Sequence, residues 1–178
     1  ILGAAATVVE RSGAAHLTIE AVAAEAKLSK GGVLYHFPNK RSMLEGMVQH
    51  LLGRVVERSA RYRAELAGGR NVTVRSLILA EQELDSEDRA MSLAILAAAA
   101  EDPGLLKPAR ELINGWFDDI GNESGGDGDG VGDQIGVLLL LATEGLRFLG
   151  MLNLLPIGSA ERTRLNRRML SIAEAGRL

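Results

Sequence analysis

The chain has 178 residues, 47% of them hydrophobic, enough to bury a core without a metal or disulfide staple. It has no cysteine, which excludes disulfides, thiolate metal sites and a cysteine nucleophile, and suits a cytoplasmic protein. The net charge of −3 divides unevenly: residues 1–63 carry nine Lys and Arg against five Glu, and residues 64–178 eleven against eighteen acids, so a basic head sits on an acidic body and suits contact with a polyanion at one end.

Apolar residues recur at helical spacing nearly throughout and no run alternates like a strand, so the expected fold is all-α with about nine helices. Ile1, Leu2, Ala5, Val8 and Val9 form a first stripe that ends near Ser12-Gly13. The pattern opens at once on Ile1, so the N-terminal region reads as incomplete. Thr18 is placed to N-cap a second helix bearing Ile19, Val22, Ala23 and Ala26 on one face. Ser29 caps a short segment through Phe37, where Pro38 forbids continuation. Asn39 opens a long helix over 39–66 with Met43, Leu44, Met47, Val48, Leu51, Leu52 and Val55 as its stripe, and Gly68-Gly69 closes it.

Further helices are expected over 72–85, 87–101, 105–120, 133–153 and 159–175. Between two of them, Gly121–Asp133 is glycine-rich and acidic, too polar to bury and expected as a mobile loop whose residues 123–130 could be deleted at little cost. The run from Ile135 to Leu155 is apolar enough to raise the question of a membrane span. Glu144 and Arg147 at its middle each cost about 2.5–3.5 kcal/mol on insertion, so it reads as a buried helix with no membrane partner. In the last helix, Leu165, Met169 and Ile172 form a stripe. With 133–153 this stripe is the expected interface of a homodimer, although it could equally pack back onto its own domain.

Thr18–Ala26 and Ser29–Phe37, joined by a turn of three to four residues, have the proportions of a helix-turn-helix. Such a unit lays its second helix in the DNA major groove. The first turn, Ser29-Lys30-Gly31-Gly32, offers free backbone N–H groups to a phosphate, and two glycines there let the backbone approach closely. By spacing alone, an ordinary tight helical corner fits as well.

The string over residues 17–44, LTIEAVAAEAKLSKGGVLYHFPNKRSML, closely resembles the DNA-binding segment of the tetracycline-repressor-like (TetR) family of transcriptional regulators. The matching features are Thr18, Ala23-Ala24, Ser29-Lys30-Gly31, Leu34-Tyr35-His36-Phe37, Pro38-Asn39-Lys40 and Leu44. The resemblance implies that Ser29, Lys30, Gly31, Gly32, Tyr35 and His36 face the DNA, and that Lys40 and Thr18 hold phosphates. Lys27 departs from the pattern where relatives usually carry glycine, and Leu34 where many carry a second aromatic. It further implies a helix-turn-helix domain over 1–45 and an effector-binding and dimerisation domain over 46–178, joined by the long helix.

No residue set argues for catalysis, so the chain is not read as an enzyme. His16, His36 and His50 fall on three elements without ligand partners at metal spacing, and no cofactor or metal is expected. Asp127-Gly-Asp129-Gly is no calcium loop, because Val131 and Leu138 occupy ligand positions. In the C-terminal half, Met91, Ile95, Leu112, Trp116, Phe117, Phe148 and Met151, with the polar groups Asn114, Glu144, Arg147 and Asn153, are candidates to line an effector pocket, though core packing accounts for each apolar one singly. The expected function is a dimeric, ligand-responsive repressor that binds a pseudo-palindromic operator in double-stranded DNA and is released by a small-molecule effector. The competing reading is a helical small-molecule-binding or dimerisation module whose helix-turn-helix is structural.

Overall fold

The computed structural model describes residues 1–66, 69–123 and 131–177. Among these are nine α-helices and two short 310 turns, with no strand: α1 Leu2–Ser12, α2 Ile19–Glu25, α3 Lys30–His36, α4 Lys40–Glu65, α5 Val72–Glu81, α6 Ser86–Ala99, α7 Lys107–Glu123, α8 Val131–Met151 and α9 Ser159–Ala175. The all-α expectation holds. Helix ends moved most at α5, which stops at Glu81 rather than 85, and around the acidic loop, where α7 runs three residues beyond 120 and α8 begins at Val131. Residues 124–130, which include Asp127 and Asp129, lie outside the described residues, as does Gly68.

The chain packs as two compact units, Ile1–Arg54 with Leu84–Glu111 and Val55–Glu83 with Leu112–Leu178. This division differs from the expected 1–45 and 46–178 because α6, far along the sequence, joins the first unit. Its Ala90, Met91, Ala94 and Ile95 share one core with Ala5 and Val9 of α1, Val22 of α2, Val33 of α3 and Met43 and Met47 of α4. Burying the Val, Ile and Met side chains among these contributes about 1.5–3 kcal/mol each. Charge fixes the same helix: Asp85 and Asp88 form a reciprocal capping box at its start. From α4, Arg54 reaches Asp85 at 2.5 Å, Glu87 at 3.0 Å and the buried Asp88 at 3.0 Å. A guanidinium facing three carboxylates beside a helix N-terminus satisfies charges that would otherwise oppose burial.

In the second unit, Val74, Leu77 and Ile78 of α5 pack with Ile120 of α7, Ile135, Leu139 and Leu140 of α8, and Met169 and Ala173 of α9. Gly136 allows α8 to approach closely, since a Cβ there would stand 2.5 Å from Ile120 Cγ2. Asn71, in the left-handed region at φ 49°, is buried and donates its side-chain amide to the Ala173 carbonyl at 2.9 Å, tying the start of α5 to the end of α9. Glu81, at the other end of α5, is buried and ion-paired with Arg162 of α9. Burial lifts the Glu81 carboxyl above its ordinary value of 4.5, Arg162 offsetting part of the effect.

The expected outward stripe on α9 does not form as one face. Met169 is buried in the core of its own unit and Ile172 packs at the edge, while Leu165 stays exposed. On an α-helix the neighbours of a buried residue at i−4 and i+3 need only rotate slightly to leave the seam, which periodicity cannot resolve.

Candidate nucleic-acid interface

Short-range hydrogen bonds build the helix-turn-helix. Thr18 Oγ1 accepts from the Ala21 N–H at 3.1 Å and Ser29 Oγ from the Gly32 N–H at 3.0 Å, so both expected N-caps are formed. Because Ser29 engages Gly32, one of the N–H groups expected to be free for phosphate is already satisfied. Between the helices, the Leu28 N–H donates to the Ala23 carbonyl at 2.9 Å and the Lys27 N–H to that of Ala24 at 3.2 Å, the paired bonds of a Schellman cap. Lys27 occupies the left-handed position of that cap at φ 54°. A residue without Cβ is easiest there, which gives a physical reason for glycine at this place in relatives.

Leu17, Val22 and Val33 are buried, and Leu34 packs part-buried against the same core, so α2 and α3 are anchored from behind. Lys30, Gly31, Tyr35 and His36 are exposed and Gly32 is half-buried. Tyr35 is 85% exposed and stands edge-on to His36 with ring centroids 5.2 Å apart. Lys40 opens α4 next to a reciprocal pair in which Asn39 Oδ1 accepts from the Ser42 N–H at 2.8 Å. Its neighbour Arg41 turns instead to Glu45, at 2.9 Å, and to Asp102. All the candidates therefore lie on α2, α3 and the first turn of α4, within one compact unit.

Sequence reasoning missed the acids of this face. Glu20 pairs with Lys30 at 2.6 Å, and Glu25 with Arg11 of α1 at 3.0 Å. The ammonium of Lys30 holds the Glu20 carboxyl below the usual carboxylate value. Ten residues separate Glu20 from Lys30, so no local spacing rule signals the pair; only the corner between α2 and α3 brings them together.

The candidates for effector contact are dispersed. Met91 and Ile95 are taken up in the core of the first unit. Leu112 and Trp116 of α7 are half-buried, Trp116 against the core of the second unit, whereas Phe117 and Phe148 are exposed. Met151 is buried near the end of α8. Glu144 and Arg147 pair with each other at 2.6 Å, one turn apart and each about a third exposed.

Residues 1–47 match the model of the tetR family of bacterial regulatory proteins, and residues 71–174 match that of tetracyclin repressor-like C-terminal domains. No curated protein matches the chain. Solved structures share the fold across nearly the whole length. A transcriptional regulator from Rhodococcus sp. Rha1 is 22% identical with a TM-score of 0.72, covering 98% of this chain and 95% of that one. The ketosteroid transcriptional regulator KstR2 of Mycobacterium tuberculosis is 18% identical with a TM-score of 0.62, covering 98% and 91%. The multidrug binding protein EbrR, complexed with imidazole, is 20% identical with a TM-score of 0.58, covering 94% and 91%. Caps, corner and both family matches agree, and the chain belongs to the TetR family of bacterial regulatory proteins, an all-helical, DNA-binding transcriptional regulator and not an enzyme.

Proposed function

We propose that this regulator is a ligand-responsive repressor, a cytoplasmic homodimer that lays α3 of each protomer in the major groove of a pseudo-palindromic operator. The observation that carries the reading is Tyr35, a large aromatic left 85% in water beside His36 and a few residues before Lys40, which makes no ion pair among the described residues. Exposed aromatics at such a density of polar neighbours suit an interface, where the ring supplies contact area and the hydroxyl a hydrogen bond. Ser29, Lys30, Gly31, Gly32, Tyr35 and His36 meet the DNA in this reading, with Thr18 and Lys40 on phosphates. Two such helices in a symmetric dimer stand about 34–36 Å apart, one turn of duplex.

Support for the dimer comes from α8. Leu138, Leu141, Phe148 and Leu149 are exposed along one side, opposite the buried Ile135, Leu139 and Thr143, with Leu152 just past the helix end and Leu165 of α9 exposed as well. The segment Gln134–Met151 is also long and apolar enough to cross a membrane. The Glu144–Arg147 pair at its middle makes a second copy of the chain the better cover for this face. An effector is supported by two structures of the same fold, named for ketosteroids and for multidrug binding. In this chain its polar anchors would be Glu144 and Arg147, with Trp116 as an apolar contact. Effector and DNA would then oppose one another through a coupling that is reciprocal. The direct test is binding to the promoter DNA beside its own gene and its relief by candidate ligands. Binding no tighter than to random duplex would contradict the repressor reading.

A further inference from the structure

Among the described residues, the surface of α2, α3 and the first turn of α4 holds four cations, and two of them are neutralised. Lys30 is held by Glu20 at 2.6 Å, the two side chains being 59% and 62% exposed, and Arg41 is held by Glu45 and Asp102. Of these four, Lys27 and Lys40 make no ion pair among the described residues. Glu20 sits in the first turn of α2, two residues after Thr18, and its pairing with Lys30 puts its carboxylate beside the first turn of α3.

We propose that Glu20 is a specificity determinant that acts by repulsion: it occupies Lys30 and presents a carboxylate to the DNA, suppressing binding to random sequence. The inference rests on the docking described above. To reach a phosphate, Lys30 must leave Glu20, and the freed carboxylate then faces a polyanion, so this lysine contributes almost no net counterion release. Discrimination between sites is a difference of affinities, and an element that penalises every sequence lowers the nonspecific background. At the operator, base contacts from Tyr35 and its neighbours compensate; on random duplex nothing does.

The experiment uses the intact chain, a random duplex and the DNA flanking its own gene, titrated between low and moderate salt. Glu20→Gln keeps the shape and removes the charge. It should raise affinity for random duplex about five- to ten-fold near 0.1 M salt and steepen the salt slope by about 0.9 per helix-turn-helix engaged, with a smaller gain on the specific DNA. Lys30→Gln should change random binding less than two-fold when Glu20 is present and abolish the gain in the Glu20→Gln background. Unchanged slopes on Glu20→Gln, or an equal loss from Lys30→Gln in both backgrounds, would overturn the proposal. So would a loss confined to the specific DNA, which would make Glu20 a base reader. Lys40→Gln separates the two layers: if it flattens the slope while Glu20→Gln is silent, the docking stands and only the role of Glu20 falls. If both are silent, the docking itself has failed.

Discussion

Glu123, the last residue of α7, caps α5: both its carboxylate oxygens lie 3.0 Å from the backbone nitrogen of Thr73, and Oε1 is 2.5 Å from the Thr73 hydroxyl. The N-cap residue of α5, Asn71, makes no side-chain cap of its own, having turned its amide to Ala173. A carboxylate from fifty residues away thus supplies what the local sequence does not, and it faces the positive end of the α5 dipole. Arg63 of α4 completes the cluster, donating to the Thr73 hydroxyl at 2.5 Å and to Asp119 at 2.8 Å. The expectation that 123–130 could be deleted cheaply therefore fails at its first residue. Glu123→Ala should lower stability by about 1–2 kcal/mol, a drop of several degrees in melting temperature. A melting curve superimposed on the wild type would contradict the cap.

Lys27 gives the opposite sign. Its left-handed conformation carries a steric cost that glycine does not, so Lys27→Gly should raise stability by about 1 kcal/mol in urea unfolding, with an unchanged m-value. Destabilisation would mean that the lysine stem packs on something worth more than the strain.

The two cases mark what the sequence made legible. Caps at Thr18 and Ser29, the stop at Pro38 and the apolar stripes of α1 and α4 are set within a few residues, so a local reading finds them. The Glu123 cap, the Glu20–Lys30 pair and the seating of α6 against α1 depend on chain segments brought together only by folding. Met169 shows a finer limit: helical period identified its stripe, but not which edge of that stripe meets the core.

The buried Glu81 sets a pH dependence. Its folded value lies above 4.5, so the folded state binds a proton more readily than the unfolded chain, and stability from this group falls as pH rises from about 4.5 through the folded value. Compared with Glu81→Gln, the wild type should lose stability over that window. Parallel stability profiles of the two proteins from pH 4.5 to 7 would show that Arg162 fully compensates the burial.

The exposed side of α8 should hold the dimer. Leu138→Glu with Leu141→Glu alters residues that are 55% and 56% exposed, so the protein should fold and sediment as a monomer, with specific DNA binding lost. Leu165→Glu with Met169→Glu is a poorer test, because burying a charge at Met169 would unfold the second unit. A stable dimer from the α8 variant would exclude this face, and a monomeric wild type would exclude the dimer.

The most direct measurement of the central claim is the salt dependence of DNA binding by Lys40→Gln and Tyr35→Ala, on specific and random duplex side by side. Lys40→Gln should weaken both duplexes alike and flatten the slope by about 0.9 per helix-turn-helix, as loss of a phosphate contact requires. Tyr35→Ala should cost about 1–3 kcal/mol on the specific duplex, with little effect on the slope or on random DNA. If Lys40→Gln binds like the wild type at low salt, or Tyr35→Ala weakens both duplexes equally, α3 does not enter the groove as described.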